Sequence, residues 1–405
     1  MLGLAVEAAS ATILLGPPIE VPRPFQGPPD APSLAVLEDG SFALGRRTGE
    51  RRFEVLFFTP EGNLLGEPVT VVSRNQGNSL YGGVGPFGDR YFVTWQIVDS
   101  GKAHAAFYSR EGELSGPPFL WPYSDTIHSH QFFYYARGPQ GRALPFFAFQ
   151  RGGKDLFGDP YRAFWSRVFG PEANFLGRPV TLLTERHVLG VEDAALNEDG
   201  RFVISLLRCP RNPRSQQPCS RGLQVFDGAW RPRSALRTKG LPPVHWRIKH
   251  VSLALARTGD HLLVWTQDFG SAARWDDDRL LAQIFRRDGS PAAGQLRISA
   301  PRTHGAAAPL VAATHASTFV VAWVDVPDGF RLDVHMREVD GRTGQMGQQI
   351  LVARNINPVG YGFELNTSGR GVIWYGDHLR LVTVEPDATI ELLAASEGKR
   401  GGTPP

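Results

Sequence analysis

Seven apolar strand lines recur along the chain, each preceded by a turn and followed by a Gly-centred hairpin. They predict an all-β fold, a seven-bladed β-propeller of four-stranded antiparallel blades. The lines are GSFALG (40–45), RYFVTW (90–95), LPFFAF (144–149), GRFVIS (200–205), HLLVW (261–265), TFVVAW (318–323) and RGVIW (370–374). Aligned on their last residues, Gly45, Trp95, Phe149, Ser205, Trp265, Trp323 and Trp374, they are spaced by 50, 54, 56, 60, 58 and 51 residues. Each is rich in Val, Ile, Phe and Trp and too short for a helix, so each reads as a buried strand. The Trp that ends a line reads as core between neighbouring blades rather than as a ligand platform.

A second motif follows each line. Its clearest copies are FFTPEGNLLGEPV (57–69), FYSREGELSGPPF (107–119), VFGPEANFLGRPV (168–180) and IFRRDGSPAAGQL (284–296). Degenerate copies are VFDGAWRPRSAL (225–236), REVDGRTGQMGQQI (337–350) and TVEPDATIEL (383–392). An apolar strand ends, a Gly-containing turn reverses the chain, and a further strand begins. SLAVLEDG (33–40), AALNEDG (194–200) and LALARTG (253–259) supply a strand and turn ahead of the line. The unit is therefore strand A, turn, strand B, loop, strand C, turn, strand D.

The N-terminal EAASATILLGPPI (7–19) matches the C–D hairpin without an A–B pair before it. It either replaces a weak last strand or adds to the outside of the ring. An eight-bladed ring is the alternative, but no eighth A–B pair is present. The expected organisation is an N-terminal closing or flanking segment over 1–25, the propeller over 26–395, and a disordered tail over 396–405.

Composition agrees with a turn-rich repeat. Gly (45) and Pro (32) make up about a fifth of the 405 residues, yet hydrophobic content is 42%. The formal net charge is only +3 and no basic stripe is present, which argues against nucleic acid as a partner. No apolar run approaches the ~20 residues that span a bilayer. The N-terminus lacks the basic start of a signal peptide as written. The two cysteines, Cys209 and Cys219, flank a Pro-rich loop in CPRNPRSQQPC. A disulfide across that loop would contribute up to roughly 3 kcal/mol and would indicate an oxidising compartment. A periplasmic or secreted location is expected.

The better copies, GDRYFVTW with FYSREGELSG and the later STFVVAW, resemble a loose class of bacterial secreted propeller repeats. In that class a DG-F-V-V-x-W strand precedes an F-x-x-x-G-x-x-L-G hairpin. The resemblance covers roughly 26–395 and implies the fold and an extracytoplasmic setting, not an activity. The sialidase, WD40 and integrin-type signatures are absent from the sequence.

Gly83-Val84-Gly85-Pro86-Phe87-Gly88 has the G-x-G-x-x-G form but lies between strands A and B and opens no helix, so it offers no phosphate site. The acidic run Asp276-Asp277-Asp278 reads as a solvated loop. The histidines carry more. His130, His187, His245 and His304 precede the ends of their B lines by 19, 18, 20 and 19 residues. Equivalent positions in four consecutive blades would gather them at one mouth of the axial channel. There they could bind Zn or another transition metal, or move protons. Glu192 and Asp193 fall in the same segments. Tyr123, Tyr134, Trp246 and Arg247 sit in neighbouring long loops and suit stacking on a sugar or anchoring a partner. The leading expectation is an extracytoplasmic recognition module that binds a glycan or protein on the face of the D–A and B–C loops. An enzyme with a histidine-centred, metal-dependent site acting on a polysaccharide, and a purely structural domain, remain open beside it.

Overall fold

The computed structural model describes residues 11–22, 33–48, 52–72, 79–97, 103–120, 134–136, 144–154, 160–169, 175–185, 188–197, 199–208, 220–228, 231–233, 241, 248–267, 279–292, 294–299, 307–314, 317–326, 331–356 and 361–385, with backbone alone through 134–191. Every regular element among them is a strand. β1 (Thr12–Leu15) and β2 (Ile19–Glu20) come first. Sheet one is β3 (Ser33–Val36), β4 (Phe42–Thr48), β5 (Arg52–Phe58) and β6 (Val69–Val72). Sheet two is β7 (Ser79–Phe87), β8 (Arg90–Ile97), β9 (Ala103–Ser109) and β10 (Phe119–Leu120). Sheet three is β11 (Tyr134–Ala136), β12 (Leu144–Lys154), β13 (Pro160–Phe169) and β14 (Phe175–Glu185). Sheet four is β15 (Val188–Leu196), β16 (Phe202–Arg208) and β17 (Ser220–Phe226). Sheet five is β18 (Ile248–Leu255), β19 (His261–Gln267), β20 (Arg279–Phe285) and β21 (Leu296–Arg297). Sheet six is β22 (Ala307–Ala313), β23 (Thr318–Asp325), β24 (Leu332–Asp340) and β25 (Ile350–Ile356). The last sheet is β26 (Tyr361–Leu365), β27 (Arg370–Tyr375) and β28 (His378–Glu385), with β1 and β2 hydrogen-bonded to the outer side of β28.

All pairings are antiparallel meanders, and the first strand of each sheet touches the first strand of the next. The series β3, β7, β11, β15, β18, β22, β26 returns from β26 to β3, so the sheets close a ring, a β-propeller. Of the two roles open to the N-terminal segment, β1 takes the fourth position on β28, with Thr12 opposite Glu385 and Leu15 opposite Val382. In sheet four the fourth position is marked only by the bridge Phe226–Pro232 among the described residues.

The turn glycines explain the local reversals. Between β3 and β4, Leu37 N donates to Ser41 O and Gly40 N to Leu37 O, a three-residue hairpin that needs a left-handed residue at Gly40 (φ 92). The same bonds recur around Gly200, Gly259 and Gly369. The following hairpin repeats the device at Gly62 and Gly112, after which Leu64 and Leu114 form single bridges before the outer strand begins.

Packing corrects one part of the sequence alignment. Trp95, Trp265 and Trp323 face the preceding sheet. Trp265, for example, packs with Val203, Leu223 and Val225 of sheet four. Trp374 faces forward instead, packing with Phe42 and Leu44 of sheet one. Ser205 and Gly45 also lie on forward faces, since alternation puts them with Val203 and Ala43. The residues structurally equivalent to Trp95 are therefore Arg46, Leu206 and Tyr375, one place later than the aligned ends. A period of two makes a one-residue offset a change of face. At the closing interface the large aromatic has crossed sides: sheet one brings Arg46, and the last sheet supplies Trp374.

Innermost strands are sheet edges whose amides need partners. A repeated strap provides them. Ser33 Oγ donates to Val84 O and accepts from Val84 N, both at 2.8 Å. Asp193 accepts from Leu253 N at 2.6 Å, and Ser252 from Val311 N at 3.2 Å. Ser33, Asp193 and Ser252 occupy equivalent places, opposite Gly45, Ser205 and Val264. At the turn face, Asn197 Nδ2 donates to Ala256 O of the next sheet, and Asn366 Nδ2 to Leu37 O across the ring closure at 2.8 Å.

Candidate functional site

The meander puts the A–B and C–D turns on one face of the ring and the B–C and D–A connections on the other. The two faces differ. At the turn end the innermost strands pair in regular register. Within their first five residues, toward the other face, four of them carry an extra residue: Leu80 in β7, Leu189 and Glu192 in β15, one of Lys249 and His250 in β18, and one of Ala308 and Pro309 in β22. Such bulges bend a strand and re-aim its side chains. Ala308 takes a left-handed φ of 47, strained for alanine, and its carbonyl accepts a bond from the buried Tyr361 hydroxyl of the next sheet.

The bulge at Glu192 carries the main polar constellation. Arg221, at the start of β17, donates through Nε and Nη2 to the two Glu192 oxygens, the second bond at 2.6 Å. Ser205 Oγ donates to Glu192 Oε2 at 2.9 Å. The structural equivalents of Arg221 in sheets one, five and six are Phe53, Leu280 and Val334, all buried in the layer between sheets. Sheet four thus places a guanidinium where sheets one, five and six place apolar side chains. Breaking such a pair costs about 3–5 kcal/mol, whereas replacing both partners by apolar groups is often neutral. Stability alone does not account for the pair. Beside it, Asp193 accepts from Ala194 N, Leu253 N and the Ser252 hydroxyl, yet burial outweighs these donors and pushes its carboxyl up to about 7. Asp193 keeps some exposed surface, but the protein packed around it removes most of its hydration.

A second cluster lies between sheets five and six. His335 stacks on Trp323, with Nε2 3.6 Å from Asp325 Oδ2 and Nδ1 3.0 Å from Gln349 Nε2. Burial, then the charge of Asp333, raises Asp325 to about 7. Burial lowers His335; Asp333 opposes that shift and Arg354 adds to it. A raised carboxyl stabilises the fold fully below its unfolded value near 4, and this contribution is lost as pH rises through about 7. His335 acts in the opposite sense, gaining as pH rises to 6.5. Above pH 6.5 the carboxyls dominate. Stability should fall between pH 6.5 and 8 by on the order of 1 kcal/mol for each of Asp193 and Asp325. Chemical denaturation across that range should show a shallower decline in Asp325→Asn; an unchanged slope would refute the assignment.

His130, His187, His245 and His304 lie outside the described residues, as do Tyr123, Trp246, Arg247, Cys209 and Cys219. Tyr134 is in β11 opposite Phe146, its side chain outside the described residues. Among the described residues no three His, Cys, Asp or Glu side chains group as metal ligands. Also among the described residues, no helix is long and apolar enough to cross a membrane. Sequence reasoning noted Glu192 and Asp193 but missed Arg221, Ser205 and the Asp325–His335 pair. A strand C alignment would have shown Arg221 as the polar exception in an apolar column.

No protein-family model and no curated protein matches the sequence. Solved structures do match in shape. A lectin, BP39L from Burkholderia pseudomallei, aligns with a TM-score of 0.53 at 12% identity, covering 88% of this chain and 96% of the lectin. The polysaccharide lyase Uly1 aligns with a TM-score of 0.51 at 8% identity, covering 89% of this chain and 91% of the lyase. At such identities the likeness shows the fold alone: the chain shares an all-β architecture of four-stranded antiparallel sheets with both.

Proposed function

We propose that this chain is a seven-bladed propeller that serves as an extracytoplasmic recognition module, binding a glycan on the face of the B–C and D–A connections. The observation that carries the reading is the clustering of inner-strand bulges toward that face, in β7, β15, β18 and β22, while the opposite ends stay regular. A rigid frame that concentrates irregularity at one mouth is how binding groups are presented from a stable scaffold. A lectin and a polysaccharide lyase share the fold, which supports carbohydrate as the ligand class.

A glycan array tests the reading. The wild type should bind a defined subset, and Trp246→Ala and Tyr123→Ala should weaken that binding with little change in melting temperature. No binding to any glycan, with capture of a protein partner instead, would overturn it. The extracytoplasmic setting is checked separately: non-reduced peptide mapping should show Cys209 linked to Cys219, and two free thiols under oxidising conditions would count against it.

A further inference from the structure

We infer that Glu192 is a pre-positioned hydrogen-bond acceptor for sugar hydroxyls, and that it tunes the recognition face toward neutral glycans and against acidic ones. The inference rests on the glycan-binding reading above and names the ligand chemistry of that face. A carboxylate offers about four lone-pair directions. Arg221 Nε and Ser205 Oγ occupy Oε2, and Arg221 Nη2 takes one position on Oε1. Among the described residues nothing takes the remaining position on Oε1. The Glu192 side chain is 16% exposed while Arg221 is fully covered (0%), so of the two charged side chains Glu192 alone keeps a surface open to a ligand.

Three consequences follow from this geometry. A bidentate Arg holds the carboxylate plane and the serine fixes its tilt, so little side-chain entropy is lost when a hydroxyl docks. The bulge turns Glu192 out of the strand's regular alternation, while the next residue, Asp193, is pinned to Ala194 N and Leu253 N. The acceptor is therefore anchored from both sides. Arg221 is paired with Glu192 through Nε and Nη2 and its Nη1 is buried, so a ligand carboxylate would meet the partly exposed like charge of Glu192 with no accessible cation supplied by this group. Neutral hydroxyls fit; uronic and sialic acids do not.

The test uses a glycan array with neutral, amino, uronic and sialylated oligosaccharides, followed by calorimetric titration with the best neutral binder. Wild type should prefer neutral sugars. Glu192→Gln should weaken titrated binding at least tenfold, a loss of the size expected for a bond to a charged group. Because that variant leaves Arg221 buried beside a neutral partner, the double variant Glu192→Met/Arg221→Leu accompanies it. It restores the apolar layer seen at Leu280 and Val334 and should fold, as judged by a cooperative melt near that of wild type. A folded double variant without neutral-sugar binding supports the assignment. A folded double variant that binds like wild type, or a wild type that prefers acidic sugars, overturns it and leaves the glycan-binding reading standing. A wild type that binds no glycan overturns that reading itself.

Discussion

A chain lacking residues 1–22 is expected to lose its cooperative melt or to melt far below the full chain. β1 and β2 cover the outer side of β28 from Thr12 to Glu20, and Val21 behind them is buried (4%) against sheet one and the last sheet. Losing the Val21 side chain from that packing forfeits roughly 2 kcal/mol by area. Arg46 Nη1, fully buried, loses Pro22 O at 2.7 Å, a further ~1–3 kcal/mol. Glu338 of sheet six loses the Ala11 amide at 2.9 Å. Together these reach the lower end of the stability of an ordinary domain, about 5–15 kcal/mol. The bared β28 would also be an open strand edge inviting association. Calorimetry and size-exclusion chromatography read both effects, and a peptide of residues 1–22 added in trans should recover part of the melt. A truncated chain that melts with wild type would show that the ring closes without its N-terminal strand.

The strand order was legible because each reversal is written locally. A Gly at a left-handed turn position, followed after one or two residues by a run of three or four apolar residues, admits few structures besides a hairpin, and the chain repeats it at Gly40, Gly200, Gly259 and Gly369. Which face a residue takes was not legible, because alternation depends on where pairing starts. Trp374 ends its line as Trp265 does, yet it points the other way, since it stands one residue nearer its turn glycine, Gly369, than Trp265 does to Gly259. The straps show a middle case. Ser33, Asp193 and Ser252 stand in similar strings, SLAV, DAAL and SLAL, but only the ring shows that each side chain serves an amide of the next sheet.

The polar site was less legible than the fold. Glu192 and Arg221 are 29 residues apart, across the Cys-containing connection, and nothing local links them. What identifies them is contrast with the other sheets: a charge in an apolar column, beside an extra residue in the inner strand. Asp325 and His335 were hidden in the same way, ten residues apart on paired strands. Repeats help here because each unit serves as a control for the rest, provided the register is known.

That contrast also bears on the interface between sheets one and two, where the largest single-residue effect is expected. Phe53 (3% exposed) lies between two glycines: a Cβ on Gly82 would come within 2.4 Å of its ring, and one on Gly45 within 2.8 Å. Neither glycine has a left-handed backbone, so alanine is unsuited there only because of the ring. Phe53→Ala should therefore destabilise by about 3–5 kcal/mol through the cavity it leaves beside Trp95 and Val55. Gly82→Ala alone should cost about 1–3 kcal/mol by overpacking. In Phe53→Ala/Gly82→Ala the new methyl enters vacated space and the strand loses a flexible glycine, so the pair should be less damaging than the sum by about 0.5–3 kcal/mol. Urea unfolding of the four proteins measures this. Additive losses would mean that Phe53 does not fill the space the glycines leave, and the account of how sheets one and two fit together would fail with it.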